Sequence, residues 1–170
     1  MSQPSSFAAP RHELPARDGK TLSIDQLSAA DGNRLGAIFA AIDPWATYGY
    51  PVSALAGFLS AQEPGAPRFA LKLDAALVGA GVLRPGWLRG PYLQFLAILP
   101  GFQGRGLGSA VLDWMEREAR AGNERNLWVA ASEINTGALR LYERHGFTRT
   151  AKLDDLAWDG RAEILLRKRL

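Results

Sequence analysis

The chain has 170 residues, 47% of them hydrophobic and 22% charged, with a net charge of +3. That length suits one domain with a sizeable core, and so small and scattered a charge excess speaks against a nucleic-acid partner. There is no cysteine, and the two histidines are His12 and His145. This excludes disulfides, thiolate nucleophiles and the usual structural zinc sites, leaves almost nothing for a Ser/His/Asp triad or a histidine-rich metal site, and fits a cytoplasmic protein; no metal is expected.

Residues 1–20, rich in Pro, Ser and Ala, read as a poorly ordered tail without the basic start and apolar run of a secretory signal. Residues 21–170 form the domain. Thr21–Leu27 alternates as a first strand, and Asp31 is placed to cap a helix over Gly32–Ile42, where Leu35, Ile38, Phe39 and Ile42 share a face. Asp43-Pro44 ends it. Trp45, Tyr48 and Tyr50 then lie between two prolines, and a second helix is expected over Val52–Ala61. Arg68–Leu73 and Leu77–Leu83 read as strands joined by a tight turn, and residues 85–91 as a loop carrying Trp87.

From Tyr92 the pattern becomes a strand, a glycine-rich turn and an amphipathic helix. Phe95–Leu99 is continuously apolar, as a strand buried on both faces should be. In the helix, Leu107, Ala110, Val111, Trp114 and Met115 form one stripe. A short strand over Asn126–Ala131, a helix over Asn135–Gly146 and two strands over Phe147–Ala157 and Ala162–Leu170, split by Asp159-Gly160, complete the chain. The expected fold is one mixed α/β (α+β) domain, a sheet of about seven strands flanked by about four helices. No run of about 18 apolar residues occurs, so no membrane span is expected.

The turn from Gln103 to Ser109 offers backbone amides with little side-chain bulk where a helix begins, which is an anion site. Three phosphate motifs compete for it. A P-loop needs Lys after its last glycine, and Ser109 stands there instead. A dinucleotide fingerprint needs a third glycine where Ser109 stands, and an alternating βαβ order that is absent. The third pattern, Q-x-x-G-x-G, is met by Gln103, Gly106 and Gly108.

With that motif, and with Asn135, Ala138, Leu141-Tyr142 and Gly146-Phe147 following at set offsets, residues 21–170 resemble the GNAT superfamily of N-acetyltransferases. The resemblance implies acetyl transfer from acetyl-CoA to an amine. Backbone amides from Gly104 to Ser109 would hold the pyrophosphate, with Gln103 and Leu107 in the same turn. Arg105 would either add charge or be a solvated surface arginine. Leu96, Ala97 and Ile98 would pair with the pantetheine arm like an added strand, one of their amides polarising the thioester carbonyl. Asn135 would hydrogen-bond the arm and Tyr142 would protonate the departing sulfur. Without cysteine, direct attack is favoured over an acyl-enzyme.

Relatives place a basic glutamate on the motif strand or the strand after it. The matching positions are Tyr92 or Gln94 and Ala130, none acidic, so Glu133 is the nearest candidate base, or else a solvated loop acid. Trp45, Tyr48, Tyr50 and Trp87 are candidates for an aromatic acceptor pocket, with core packing or a homodimer contact as the alternative. The expected acceptor is a small amine, an amino acid or a protein N-terminus, the last as in the ribosomal-protein acetyltransferases. A non-catalytic acyl-CoA-binding regulatory module is the competing reading.

Overall fold

Period-two apolar patterning converts here into one continuous mixed sheet, described by a computed structural model for Phe7 and residues 11–170. Its eight strands are β1 (Arg11–Pro15), β2 (Thr21–Gln26), β3 (Arg68–Leu73), β4 (Ala76–Trp87), β5 (Gly90–Ile98), β6 (Asn126–Ser132), β7 (Thr148–Asp154) and β8 (Ala162–Arg169). They lie in the order β1-β2-β3-β4-β5-β6-β8-β7. The helices are α1 (Ala29–Phe39), α2 (Trp45–Tyr48), α3 (Val52–Ser60), α4 (Leu107–Ala121) and α5 (Thr136–Arg144). None is long and apolar enough to cross a membrane.

Successive residues of β3 show how the core divides. Ala70 joins α1 and α3 in one apolar cluster, while Leu71 joins α4 and α5 in another, so the clusters occupy opposite faces of the sheet. Gly36 of α1 lets that helix lie against α3, since a Cβ there would stand 2.4 Å from the Ala56 Cα.

Three expectations are corrected. Residues 11–20 are not a loose tail: Arg11–Pro15 pairs antiparallel with β2, from Arg11↔Asp25 to Pro15↔Thr21, with Leu14 buried. Proline is tolerated because β1 is an edge strand. Residues 1–6 and 8–10 of the expected tail lie outside the described residues. The aromatic loop over 85–91 is instead the tip of a hairpin, in which β4 runs on through Trp87 and Leu88-Arg89, both at positive φ, make the turn. The first helix starts at Ala29, earlier than expected, because Ser28 is its cap. The Ser28 hydroxyl accepts from the Asp31 amide at 3.1 Å and donates to the Asp31 carboxylate at 3.0 Å. The sheet also carries one strand more than the seven expected, and the two prolines enclose the short helix α2.

Candidate active site

The site begins with a defect in β5. Val82 of β4 faces Phe95 and Leu83 faces Leu93, leaving Gln94 as the extra residue of a bulge. Gln94 is held by its side chain, whose Oε1 accepts from Arg84 Nε at 2.7 Å. The bulge sends Leu93 into the α4 core and Phe95 into the α1 core. It also bends β5 away from β6. Their parallel pairing covers only Tyr92↔Trp128 and Leu93↔Val129, so from Gln94 onward this edge of β5 has no strand partner. Over Leu96, Ala97 and Ile98 the edge of β5 that faces away from β4 therefore borders a seam inside the sheet, as an added extended chain requires.

The seam leads down to the glycine turn. Gly101, Gly104 and Gly106 all take positive φ, and Gly106, at φ 81°, caps α4. This conformation costs other residues strain, and it turns the amides of the first helical turn outward. Among the described residues the amides of Gly104 through Ser109 find no backbone carbonyl, whereas the next one, of Ala110, donates to the Gly106 carbonyl at 3.0 Å. Gln103 anchors the turn by donating through Nε2 to the Ile98 carbonyl at 3.1 Å.

These residues wall a cavity of about 600 Å³ together with Asn135, Ala138, Leu141 and Tyr142 of the α5 region. Its charge comes from unexpected places. Arg105 is not on the wall; its guanidinium lies over the Phe102 ring, 5.2 Å from the centroid. Arg17 and Arg144 are on the wall instead. Arg17 sits on the short turn between β1 and β2, 3.2 Å by its Nε from where a Cβ on Gly106 would be. Its place was hidden because the segment carrying it reads as a tail.

Asn135 caps α5, its Oδ1 accepting from the Ala138 amide at 3.1 Å, which leaves its Nδ2 to the cavity. Tyr142 lies two turns along the same helix. It is 6% exposed and packs against Phe147 with ring centroids 6.0 Å apart. Burial pushes its phenol well above the ordinary range, with the nearby Tyr92 and Glu163 adding to the effect, so it is protonated at neutral pH.

A second cavity, of about 370 Å³, opens from the α1 face of the sheet and shares Trp45, Leu96, Asn135 and Tyr142 with the first. Three of the four expected aromatic residues line it: Trp45, Tyr48 and Tyr50. Trp45 stacks at 4.9 Å on Phe95, and Tyr50 meets Trp158 of the β7–β8 turn at 5.5 Å. Trp87 does not line it. It belongs to an aromatic cluster at the hairpin tip, 4.7 Å from Tyr92 and 5.2 Å from Trp128. Asp43 lies on the wall of the first cavity, and its Oδ1 accepts from the Thr47 amide at 3.2 Å and the Thr47 hydroxyl at 2.5 Å.

Glu133 is absent from both walls. It is exposed just past β6 and ion-paired to Lys152 Nζ at 3.1 Å. The carboxylate on the second cavity's wall is Glu163 of β8, directly across from Ser132 of β6. Burial pushes it up to about 7 from an ordinary 4.5.

The profile of the Acetyltransferase (GNAT) family matches residues 33–147, and the chain belongs to that family. Acetyltransferase Atu2258 of Agrobacterium fabrum is 34% identical over 84 residues, a stretch covering 49% of this chain and 57% of that protein. Among solved structures, the ribosomal-protein-S18-alanine N-acetyltransferase from Escherichia coli superposes with a TM-score of 0.68 at 20% identity, over 87% of this chain and 93% of its own. YncA of Salmonella typhimurium, a structure holding acetyl-CoA as its cofactor, superposes with a TM-score of 0.62 at 18% identity, over 88% and 94% of the two chains.

Proposed function

We propose that this protein moves an acetyl group from acetyl-CoA to a primary amine by direct attack, with Tyr142 as the general acid. The observation that carries the reading is the meeting of the two cavities at Trp45, Leu96, Asn135 and Tyr142. One cavity has an amide-lined turn with Arg17 beside it and Arg144 and Asp43 also on its wall, and the other has an aromatic wall with a single carboxylate among the described residues. The residues suit the donor. Unpaired amides and the positive end of α4 match a pyrophosphate, the free edge of β5 matches an amide-bearing arm, and Asn135 Nδ2 is a donor beside it.

Bound acetyl-CoA supplies an acyl thioester. One backbone amide within Leu96–Ile98 then polarises the carbonyl, and the Tyr142 phenol gives its proton to sulfur. The sequence contains no cysteine to form a thioester acyl-enzyme.

Thermal stabilisation tests the donor. At a concentration 100 times its Kd, acetyl-CoA should add about 2.7 kcal/mol, while NAD adds nothing. No shift with acetyl-CoA or CoA overturns the reading, and release of CoA on adding an amine panel separates turnover from mere binding. Arg17→Ala should weaken acetyl-CoA about 10-fold to 100-fold, the equivalent of one charge-assisted hydrogen bond of about 1.5–3 kcal/mol. Titration calorimetry checks this, and an unchanged Kd would take Arg17 out of the phosphate site.

A further inference from the structure

We propose that Glu163 is the proton acceptor of the reaction and that the acceptor is a primary amine with a compact apolar or aromatic body and no carboxylate beside its nitrogen. The inference rests on the acetyl-transfer reading and extends it to the other half of the site.

Strand β8 alternates. Ala162, Ile164 and Leu166 are buried, and Ile164 and Leu166 belong to the α4 cluster, which turns Glu163 to the opposite face. There it joins the second cavity with Trp45, Tyr48, Tyr50, Phe58, Tyr92 and Phe95. Unlike Glu133, held by Lys152, Glu163 makes no ion pair or hydrogen bond within the described residues. An unpaired, half-buried carboxylate is costly unless something cationic completes it. The surrounding aromatic faces favour the same charge.

The wall of that cavity contains no Lys, Arg or His among the described residues. Arg161 is near but lies outside, on the exposed β7–β8 turn, its guanidinium over the Tyr48 ring at 5.5 Å. An α-amino acid would therefore bring its carboxylate against Glu163 with no cation to meet it, whereas a simple amine would not. The ionisable groups coupled to Glu163 are Tyr142 of α5, Tyr92 of β5 and Tyr48 of α2. All three are phenols made less acidic by burial, so the carboxylate is the group in this cavity able to accept a proton near neutrality. Tyr142 and Glu163 line this cavity together as acid and base, their protonation states held apart by environment.

The protons balance. The nitrogen gives up two as its C–N bond forms and the C–S bond breaks. Glu163 takes one and passes it to solvent, and the other replaces the phenol proton that Tyr142 delivers to sulfur.

The test uses Glu163→Gln and Glu163→Asp in the full chain, with phenethylamine against phenylalanine as acceptors and CoA release as the signal. For the parent, kcat/KM should rise with pH through about 7 as Glu163 ionises. Glu163→Gln should lose about 10²-fold at pH 7 and recover toward pH 9.5, nearer the amine's own pKa of about 10. Glu163→Asp should regain part of that loss. Phenethylamine should exceed phenylalanine at least about tenfold in kcat/KM, the size of a single specificity contact.

A second readout needs no turnover. A carboxyl raised from 4.5 to about 7 keeps its proton longer in the folded state, so the parent's stability falls between those pH values and then levels. The Tm of Glu163→Gln should therefore overtake the parent's across that window. A parent-like pH–rate limb in Glu163→Gln, or a Tm difference that ignores pH, overturns the base. Equal use of phenylalanine overturns the acceptor class. If both proteins bind acetyl-CoA normally, those failures belong to this inference alone; if neither binds it, the acetyl-transfer reading itself fails.

Discussion

Tyr142→Phe should lower kcat by about 10² to 10³-fold and leave the Kd for acetyl-CoA within about twofold, because one proton transfer is removed and little else. The ring is 6% exposed and packed on Phe147 at 6.0 Å, and phenylalanine keeps that packing. Among the described residues the hydroxyl hydrogen-bonds nothing, so its loss strands no partner there. Its pKa is raised chiefly by burial, which holds the proton on oxygen until charge develops at sulfur. The same burial disfavours a bare thiolate beside it, so the transfer is driven by the site as much as by the phenol. Single-turnover rates and calorimetry separate chemistry from binding. An unchanged kcat would remove the general-acid role.

Gly106→Glu should abolish measurable acetyl-CoA binding, a loss beyond about 10³-fold, through three effects acting together. The position has φ 81°, which side-chain-bearing residues adopt at a cost of about 1–2 kcal/mol. A Cβ there would press within 3.2 Å of Arg17 Nε. The added carboxylate would either face the phosphates directly or neutralise Arg17, and both outcomes reverse the sign of the cradle. Circular dichroism should show the fold intact, since Gly106 itself lies outside the apolar clusters. Parent-like affinity in this variant would refute the cradle.

How far the sequence carries is best seen in particular residues. Gln103, Gly106, Gly108, Asn135 and Tyr142 were legible because a turn motif, a cap and a helical offset are local in the chain, and all five line the predicted cofactor cavity. β3 is legible to the residue, Arg68–Leu73, since its alternation is uninterrupted. Arg17 and β1 were not, because RHELP holds one buried apolar residue, Leu14, and needs β2 as a template. Trp87 was misplaced because a two-residue turn of Leu88-Arg89 lacks the glycine or asparagine that usually marks it.

Glu163 shows the deeper limit. The alternation that turns it away from Ala162 and Ile164 can be read in the sequence. That β8, not β7, borders β6 is a fact of topology, and this insertion brings the carboxylate to the seam. A search for an acid along the chain stops at Glu133; a search across the sheet reaches Glu163.

The short pairing of β5 with β6 also has a mechanical meaning. The sheet is two leaves, β1–β5 and β6–β8 with β7 outermost, joined by two strand pairs, Tyr92↔Trp128 and Leu93↔Val129, and by Asn126 and Trp128 donating to the Leu88 carbonyl at the hairpin tip. Leu96–Ile98 and Trp45 belong to the first leaf, and Ser132, Tyr142 and Glu163 to the second. The gap between reacting groups is thus set by the angle at which the leaves open. Trimming Val129, which lines neither cavity, touches no ligand, yet it would loosen that angle and surface as a slower reaction more than as a weaker complex.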